Sequence, residues 1–334
     1  MKKIIVAGCG NMSNAWIRAA MKREGCKITA LVDPVIENAK SRKDDYSLEC
    51  NLYTNLSEAC EKEDADIVFD ITPPEYHYQT VTTALKAGCH VFGEKPMAET
   101  VENAEKMIQC SDDTKKEYFV MQNRRYVSEI IALKNFVKSK ELGAIGQLSA
   151  NFQMNPRFGG FREEMESPLI LDMAIHTFDA VRFISGLNAK SVYCHEFNPS
   201  WSWFKGDAAA LCIFEMENGT VFDYRGSWCA TGLISSWHSQ WSVACADGIV
   251  YWDGNQELFW DGKKKEFWGK DPEEKNKINV NRIENSGHKA CIFDMFDSLE
   301  KGIRPQTDCR DNINSIKMVI KALESSKTKK VVLL

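Results

Sequence analysis

Long apolar runs are missing from this chain. Nothing in it approaches the ~18 consecutive apolar residues of a membrane span, so no membrane partner is expected. A basic excess is missing too: 42 Lys and Arg stand against 47 Asp and Glu, a formal net charge of −5. Without a cationic face there is nothing to neutralise nucleic-acid phosphates, which argues against a nucleic-acid partner. The 12 cysteines are scattered, and no two are spaced as C-x-x-C. Neither a zinc site nor a dithiol redox pair is therefore expected, and no metal. Internal repeats and low-complexity linkers are also absent. At the start, Ile4-Ile5-Val6-Ala7 meets a glycine too soon to be a signal-peptide core and reads as a first buried strand. A cytoplasmic protein is expected, its cysteines serving as small buried hydrophobes in a reducing compartment.

What is present is ordinary globular material. Hydrophobic residues make up 44% and charged residues 27% of 334 residues, and at ~150 residues per domain this length suggests two domains. The first ~120 residues alternate strand and helix signals, the rhythm of a parallel sheet covered on both faces. Predicted strands are Lys3–Ala7, Lys27–Val32, Asn51–Tyr53, Asp66–Ile71, His90–Phe92 and Tyr118–Gln122. Predicted helices are Asn14–Arg23, Val35–Lys43, Leu56–Glu63, Tyr76–Ala87 and Val101–Cys110, with Thr100 as a start signal and Gly88 as a stop.

After Gln122 the rhythm changes. A helix is expected over Ser128–Ser139, a strand over Gln147–Met154, then the polar loop Arg157–Pro168 and a single helical run, Leu169–Ser185. From about Ser191 to Trp268 the pattern is successive strands, with turn pairs Asn218-Gly219, Asp247-Gly248, Asp253-Gly254 and Asp261-Gly262. Asn-Gly and Asp-Gly are the strongest short-range hairpin signals, so an antiparallel sheet is expected. Lys263–Lys277 reads as a solvated hairpin end or loop. Helices Gly287–Lys301 and Asp311–Ser325 and a strand at Lys330–Leu333 close the chain.

Gly8-Cys9-Gly10-Asn11-Met12-Ser13 follows the first strand and opens a helix, a G-x-G-x-x-S variant of the dinucleotide fingerprint. Gly8 allows the tight turn, and Gly10 lets backbone amides approach a pyrophosphate, with Asn11 and Met12 beside it. Asp33 ends the second strand where an acid holds the adenosine ribose hydroxyls and repels a 2′-phosphate. NAD is therefore favoured over NADP, with Arg42 and Lys43 the cations that keep NADP open. Thr72-Pro73-Pro74-Glu75-Tyr76-His77 and Gly93-Glu94-Lys95-Pro96 sit at carboxyl ends of sheet strands, where open α/β sheets place ligands. Thr72, Pro73, His77, Glu94 and Lys95 are accordingly candidate cofactor contacts. Asp172 and His176 are spaced i, i+4, one face of a helix, and a carboxylate beside an imidazole sets up a general base.

Taken in order, the glycine fingerprint, T-P-P-x-x-H, G-E-K-P and D-x-x-x-H-x-x-D resemble the Gfo/Idh/MocA oxidoreductases over essentially the whole chain. That resemblance implies an α/β fold: an N-terminal Rossmann domain (1–122) and a C-terminal α/β domain with a large, mostly antiparallel sheet (123–334) for substrate and oligomer contacts. It implies Lys95, Asp172 and His176 as the catalytic group, and association through the open sheet face as a homodimer or homotetramer. The implied activity is NAD-dependent hydride transfer to and from a secondary hydroxyl of a sugar, glycoside or cyclitol. An NAD-assisted glycosidase and a non-catalytic cofactor sensor are the alternatives. Ser167-Pro168-Leu169-Ile170-Leu171 replaces the glycines many members carry before the Asp, and Asn11-Met12 replaces a bulky aromatic. These departures leave the substrate open.

Eight of nine tryptophans fall between Trp201 and Trp268. Most read as sheet core or interface. Trp201, Trp203 and Trp228 are candidates to stack on a sugar. Arg125, Tyr126 and Arg157 are further substrate candidates, with Arg162 and His288 weaker ones.

Overall fold

The computed structural model describes residues 1–262 and 276–334. Most of the charged stretch Lys263–Lys277, and Trp268 with it, lies outside the described residues. The chain forms two compact units, one of residues 1–126 with 285–316 and the other of residues 127–284 with 317–334.

In the first unit, strands β1 (Lys2–Ala7), β2 (Cys26–Val32), β3 (Asn51–Tyr53), β4 (Ile67–Asp70), β5 (His90–Gly93) and β6 (Tyr118–Val120) alternate with five helices. These are α1 (Ser13–Met21), α2 (Ile36–Asp45), α3 (Leu56–Glu63), α4 (Pro74–Lys86) and α5 (Val101–Thr114). The strands pair in parallel in the order β3-β2-β1-β4-β5-β6. The order reverses between β1 and β4, which places the ligand crevice of such a sheet at their carboxyl ends. Strands buried on both faces must be apolar throughout; Ile4, Ile5 and Val6 of β1 and Ile67, Val68 and Phe69 of β4 have no exposed surface. Asn55 and Thr100 cap α3 and α5 by accepting the Glu58 and Asn103 amides at 3.1 Å each.

The second unit contains α6 (Ser128–Ser139), β7 (Ile145–Gln153), a short α7 (Phe161–Glu164), α8 (Ile175–Ser185) and strands β8 (Ala189–Phe197), β9 (Ala209–Met216) and β10 (Val221–Ser227). β11 (Gln240–Cys245), β12 (Gly248–Trp252), β13 (Leu258–Gly262) and β14 (Asn276–Lys277) follow; α9 (Gly287–Lys301) belongs to the first unit, and α10 (Cys309–Thr328) leads to β15 (Val332–Leu333). The nine-stranded sheet runs β14-β13-β12-β11-β7-β10-β9-β8-β15. Every pair is antiparallel except β7 with β10. One face is covered by α8, whose Phe178 meets Phe214 edge-on at 4.9 Å and Tyr224 at 5.3 Å. Alternate residues on the other face, among them Tyr193, Leu211, Ile213 and Ile249, are exposed.

Three expectations need correction. A single cut at residue 122 does not divide the chain, because α9 returns to the first unit, where Phe296 packs its ring on Phe92 at 5.1 Å and Phe69 at 6.0 Å. Three of the four turn pairs do lie between antiparallel strands, but Asp261-Gly262 closes β13 itself, paired with Ile249 and Gly248. The run Leu169–Ser185 is not one α-helix: Leu169–Ala174 is a π-helix that passes into α8.

Candidate active site

The glycine turn is built as its composition requires. Gly8 has φ +92°, and a side chain there would place Cβ 2.4 Å from the Ile71 carbonyl oxygen at the end of β4. Only glycine permits that approach. Gly10 has nothing within 4 Å of where a Cβ would stand, so the outer side of the turn is open. Among the described residues, the backbone N–H groups of Gly10, Asn11 and Met12 find no acceptor. Exposed donors leading into a helix suit a pyrophosphate.

Asp33 is 7% exposed, and its carboxylate is held from three sides. Oδ2 accepts the Cys9 amide at 2.9 Å; Oδ1 accepts the Val35 amide at 2.9 Å and Asn38 Nδ2 at 3.1 Å. That fills most of the roughly four acceptor positions of a carboxylate and fixes its charge against the glycine turn. Of the two cations that bear on NADP, Lys43 turns away to the Cys50 carbonyl at 2.8 Å. Arg42 stays by the turn, donating to the Cys9 carbonyl at 3.3 Å and to Asp45 at 2.5 Å.

At the end of β4, Thr72 Oγ1 donates to Asp70 Oδ1 at 2.6 Å, and His77 Nδ1 lies 2.6 Å from Asp70 Oδ2. His77 is 1% exposed, so this predicted cofactor residue turns its ring to Asp70 and does not present it at the surface. Burial works to lower the imidazole pKa, but the Asp70 charge and hydrogen bond, together with the Glu94 and Glu75 charges, raise it above its ordinary value. Pro73 precedes α4 with Pro74 as its first residue, where a missing N–H costs nothing. After β5, Glu94 is buried with both oxygens occupied: Oε1 accepts Trp16 Nε1 at 2.7 Å and Oε2 accepts the Lys95 amide at 3.2 Å. Glu94 is therefore a bracket that fixes the backbone of Lys95.

His288, at the start of α9, is brought into the neighbourhood of Lys95 by the chain's return. Burial lowers its pKa, and the Lys95 and Arg124 charges lower it further while Glu94 opposes them. No sequence spacing announces this proximity. Arg125 and Tyr126 are corrected as substrate candidates. Arg125, 5% exposed, pairs with Asp311 at 2.7 Å and donates to the Gln306 carbonyl; Tyr126, 6% exposed, donates to Asp294 at 2.6 Å. Both tie the turn Asn123–Tyr126 to the returning segment, inside the core.

In the second unit Asp172 lies in the π-helix and His176 is the second residue of α8, so a continuous α-helical register does not link them. π-turns interrupt helices most often at functional positions. Arg162 of α7 donates through Nε to Asp172 Oδ2 at 2.7 Å, a contact that no sequence spacing announces. The aromatic candidates do come together. Arg157 lies flat on Trp203, its guanidinium carbon 3.7 Å from the ring centre. Phe204 bridges Trp203 and Trp228 at 5.5 and 5.8 Å, and Phe158 meets Trp228 edge-on at 5.4 Å. Trp201 is exposed and donates Nε1 to the Cys229 carbonyl at 3.0 Å.

Comparison with known proteins agrees along the chain. Residues 2–122 match a family described as an oxidoreductase family with an NAD-binding Rossmann fold, and residues 130–251 match the GFO/IDH/MocA C-terminal domain. Inositol 2-dehydrogenase of Corynebacterium glutamicum is 26% identical over 226 residues, 66% of this chain and 65% of that enzyme. An oxidoreductase from Agrobacterium radiobacter, solved with NAD+, L-tartaric acid and magnesium, superposes with a TM-score of 0.88 at 19% identity, covering 99% of this chain and 98% of that one. The WlbA dehydrogenase from Chromobacterium violaceum, solved with NADH and UDP-GlcNAcA, gives 0.84 at 20% identity, covering 100% and 96%.

Proposed function

Because this chain belongs to the Gfo/Idh/MocA family of NAD-binding oxidoreductases, we propose that it oxidises a secondary hydroxyl of a sugar, glycoside or cyclitol, or reduces the matching ketone. The observation that supports this most is Lys95 at the carboxyl end of β5, its backbone locked by a buried carboxylate in the sheet that carries the glycine turn. A side chain held that way is built for a fixed task. Bound NAD supplies the hydride acceptor. The protein's part is position and charge. The Gly10–Met12 amides hold the pyrophosphate, Asp33 the adenosine ribose, and Thr72 and Pro73 the chain end beside it. His176 takes the hydroxyl proton, Asp172 steadies the charged imidazole, and Lys95 stabilises the developing alkoxide.

In this reading Arg162 acts on Asp172, holding its carboxylate in one place. The exposed face of the nine-stranded sheet, where Leu211, Ile213 and Ile249 flank polar residues such as Asn151 and Asp223, is where a second copy of the chain docks, as a homodimer or homotetramer; sedimentation at micromolar concentration tests this, and a monomer there refutes it. The activity is tested with a panel of sugars, cyclitols and glycosides and NAD, read as NADH absorbance together with product analysis. NADH formation with a keto product supports dehydrogenation. An aglycone released with no net NADH would instead establish the oxidation–elimination reaction of a glycosidase.

A further inference from the structure

Among the described residues of the second unit, one arginine has a guanidinium that meets no oxygen. Arg162 donates to Asp172, Arg182 to Asn188, Arg225 to Asn151 and Arg282 to Glu129. Arg157 is exposed, and among the described residues no carboxylate or other side-chain oxygen meets its guanidinium. The acids near it in sequence are engaged elsewhere: Glu163 accepts the Gly159 amide at 2.9 Å, and Glu164 pairs with Lys205 at 3.3 Å. Stacking on Trp203 at 3.7 Å uses only the face of the guanidinium and leaves the N–H fork at its edge available.

The surrounding aromatics carry unspent donors as well. Trp203 Nε1 and Trp228 Nε1 are both buried without an acceptor, and Trp228 is 1% exposed. Indole N–H groups taken from water normally find a partner. A fixed planar cation, two indole donors and aromatic rings including the exposed Phe158 therefore occur in one cluster. The combination suits a ligand with C–H faces, neutral oxygens and one anionic group.

We propose that Arg157, with Trp203 and Trp228, forms the subsite that reads an anionic substituent on the substrate, a ring carboxylate or a phosphate ester, so that the substrate is an acidic sugar or cyclitol. This rests on the dehydrogenase reading and narrows its substrate class. The planar fork of Arg157 donates to both oxygens of a carboxylate or to two of a phosphate, while the indoles donate to ring or hydroxyl oxygens.

The test uses the full chain with NADH present and measures binding by calorimetry and tryptophan fluorescence. Ligands are matched sets: glucose, glucuronate and glucose 6-phosphate; galactose, galacturonate and galactose 6-phosphate; inositol and inositol phosphate. A charge-assisted hydrogen-bond pair predicts that an anionic member binds about tenfold to a hundredfold more tightly than its neutral parent. Whether the uronate or the phosphate ester gains identifies which anion the site reads. Arg157→Gln should collapse that ratio to near one, and retained NADH affinity reports a folded protein. Neutral parents that bind as tightly as both anions, or an advantage that survives Arg157→Gln, would overturn the anionic subsite and leave the dehydrogenase reading standing. No binding by any member, neutral or charged, would overturn both.

Discussion

Glu196 on β8 is a carboxyl group 6% exposed; the Ser167 hydroxyl donates to Oε2 at 3.3 Å, and among the described residues Oε1 is buried without a hydrogen-bond partner. Burial raises its pKa from 4.5 to about 7; the Ser167 and Ser326 hydrogen bonds oppose the rise, and the Asp207 and Glu166 charges add to it. The folded protein thus binds this proton more tightly than the unfolded chain does. The contribution to stability is complete below pH 4.5, is lost as pH rises towards about 7, and stays lost above. At ~1.4 kcal/mol for each pH unit between the two values, the whole window is worth about 3 kcal/mol. Glu196→Gln keeps the shape of the side chain and has no proton to lose. The variant should gain stability relative to the native protein by about 2 to 3 kcal/mol on going from pH 5 to pH 8, part of the native loss being already present at pH 5. Urea unfolding followed by circular dichroism at the two pH values, at equal ionic strength, measures the difference, and any fixed cost of the amide cancels in it. A gap between variant and native protein that is the same at both pH values would refute the reasoning.

Three further outcomes are expected. Asp33→Ala should narrow or reverse a preference for NAD over NADP, since it removes the charge fixed beside the Cys9 amide; cofactor titration decides, and native preference for NADP would contradict the role. Lys95→Ala and His176→Ala should each lower turnover by ~10²–10⁴ while NAD affinity is nearly kept; near-native turnover in either folded, cofactor-binding variant would remove it from the catalytic group. Trp16→Phe takes the indole donor from Glu94 Oε1, so denaturant unfolding should show a loss of about 1.5–3 kcal/mol, the range for a hydrogen bond to a charged group, and a variant as stable as the native protein would show that the bracket does not hold.

Sequence alone determined what local chemistry dictates. The alternation of buried strands and capped helices depends on residues a few positions apart, and so do the three hairpin turns. Thr100 caps α5 through an amide three residues away, and no distant partner could change that. Tertiary structure decided which side chains far apart in sequence meet. Phe296 had to reach Phe69 and Phe92 before residues 285–316 could join the first unit, and that return buried Arg125 and Tyr126 on Asp311 and Asp294. It also set His288 near Lys95. An arginine buried against a carboxylate and one left facing solvent read alike in a sequence. Arg125 and Arg157 were separated only by what packed against them, because charge is a property of the residue whereas its compensation belongs to the fold.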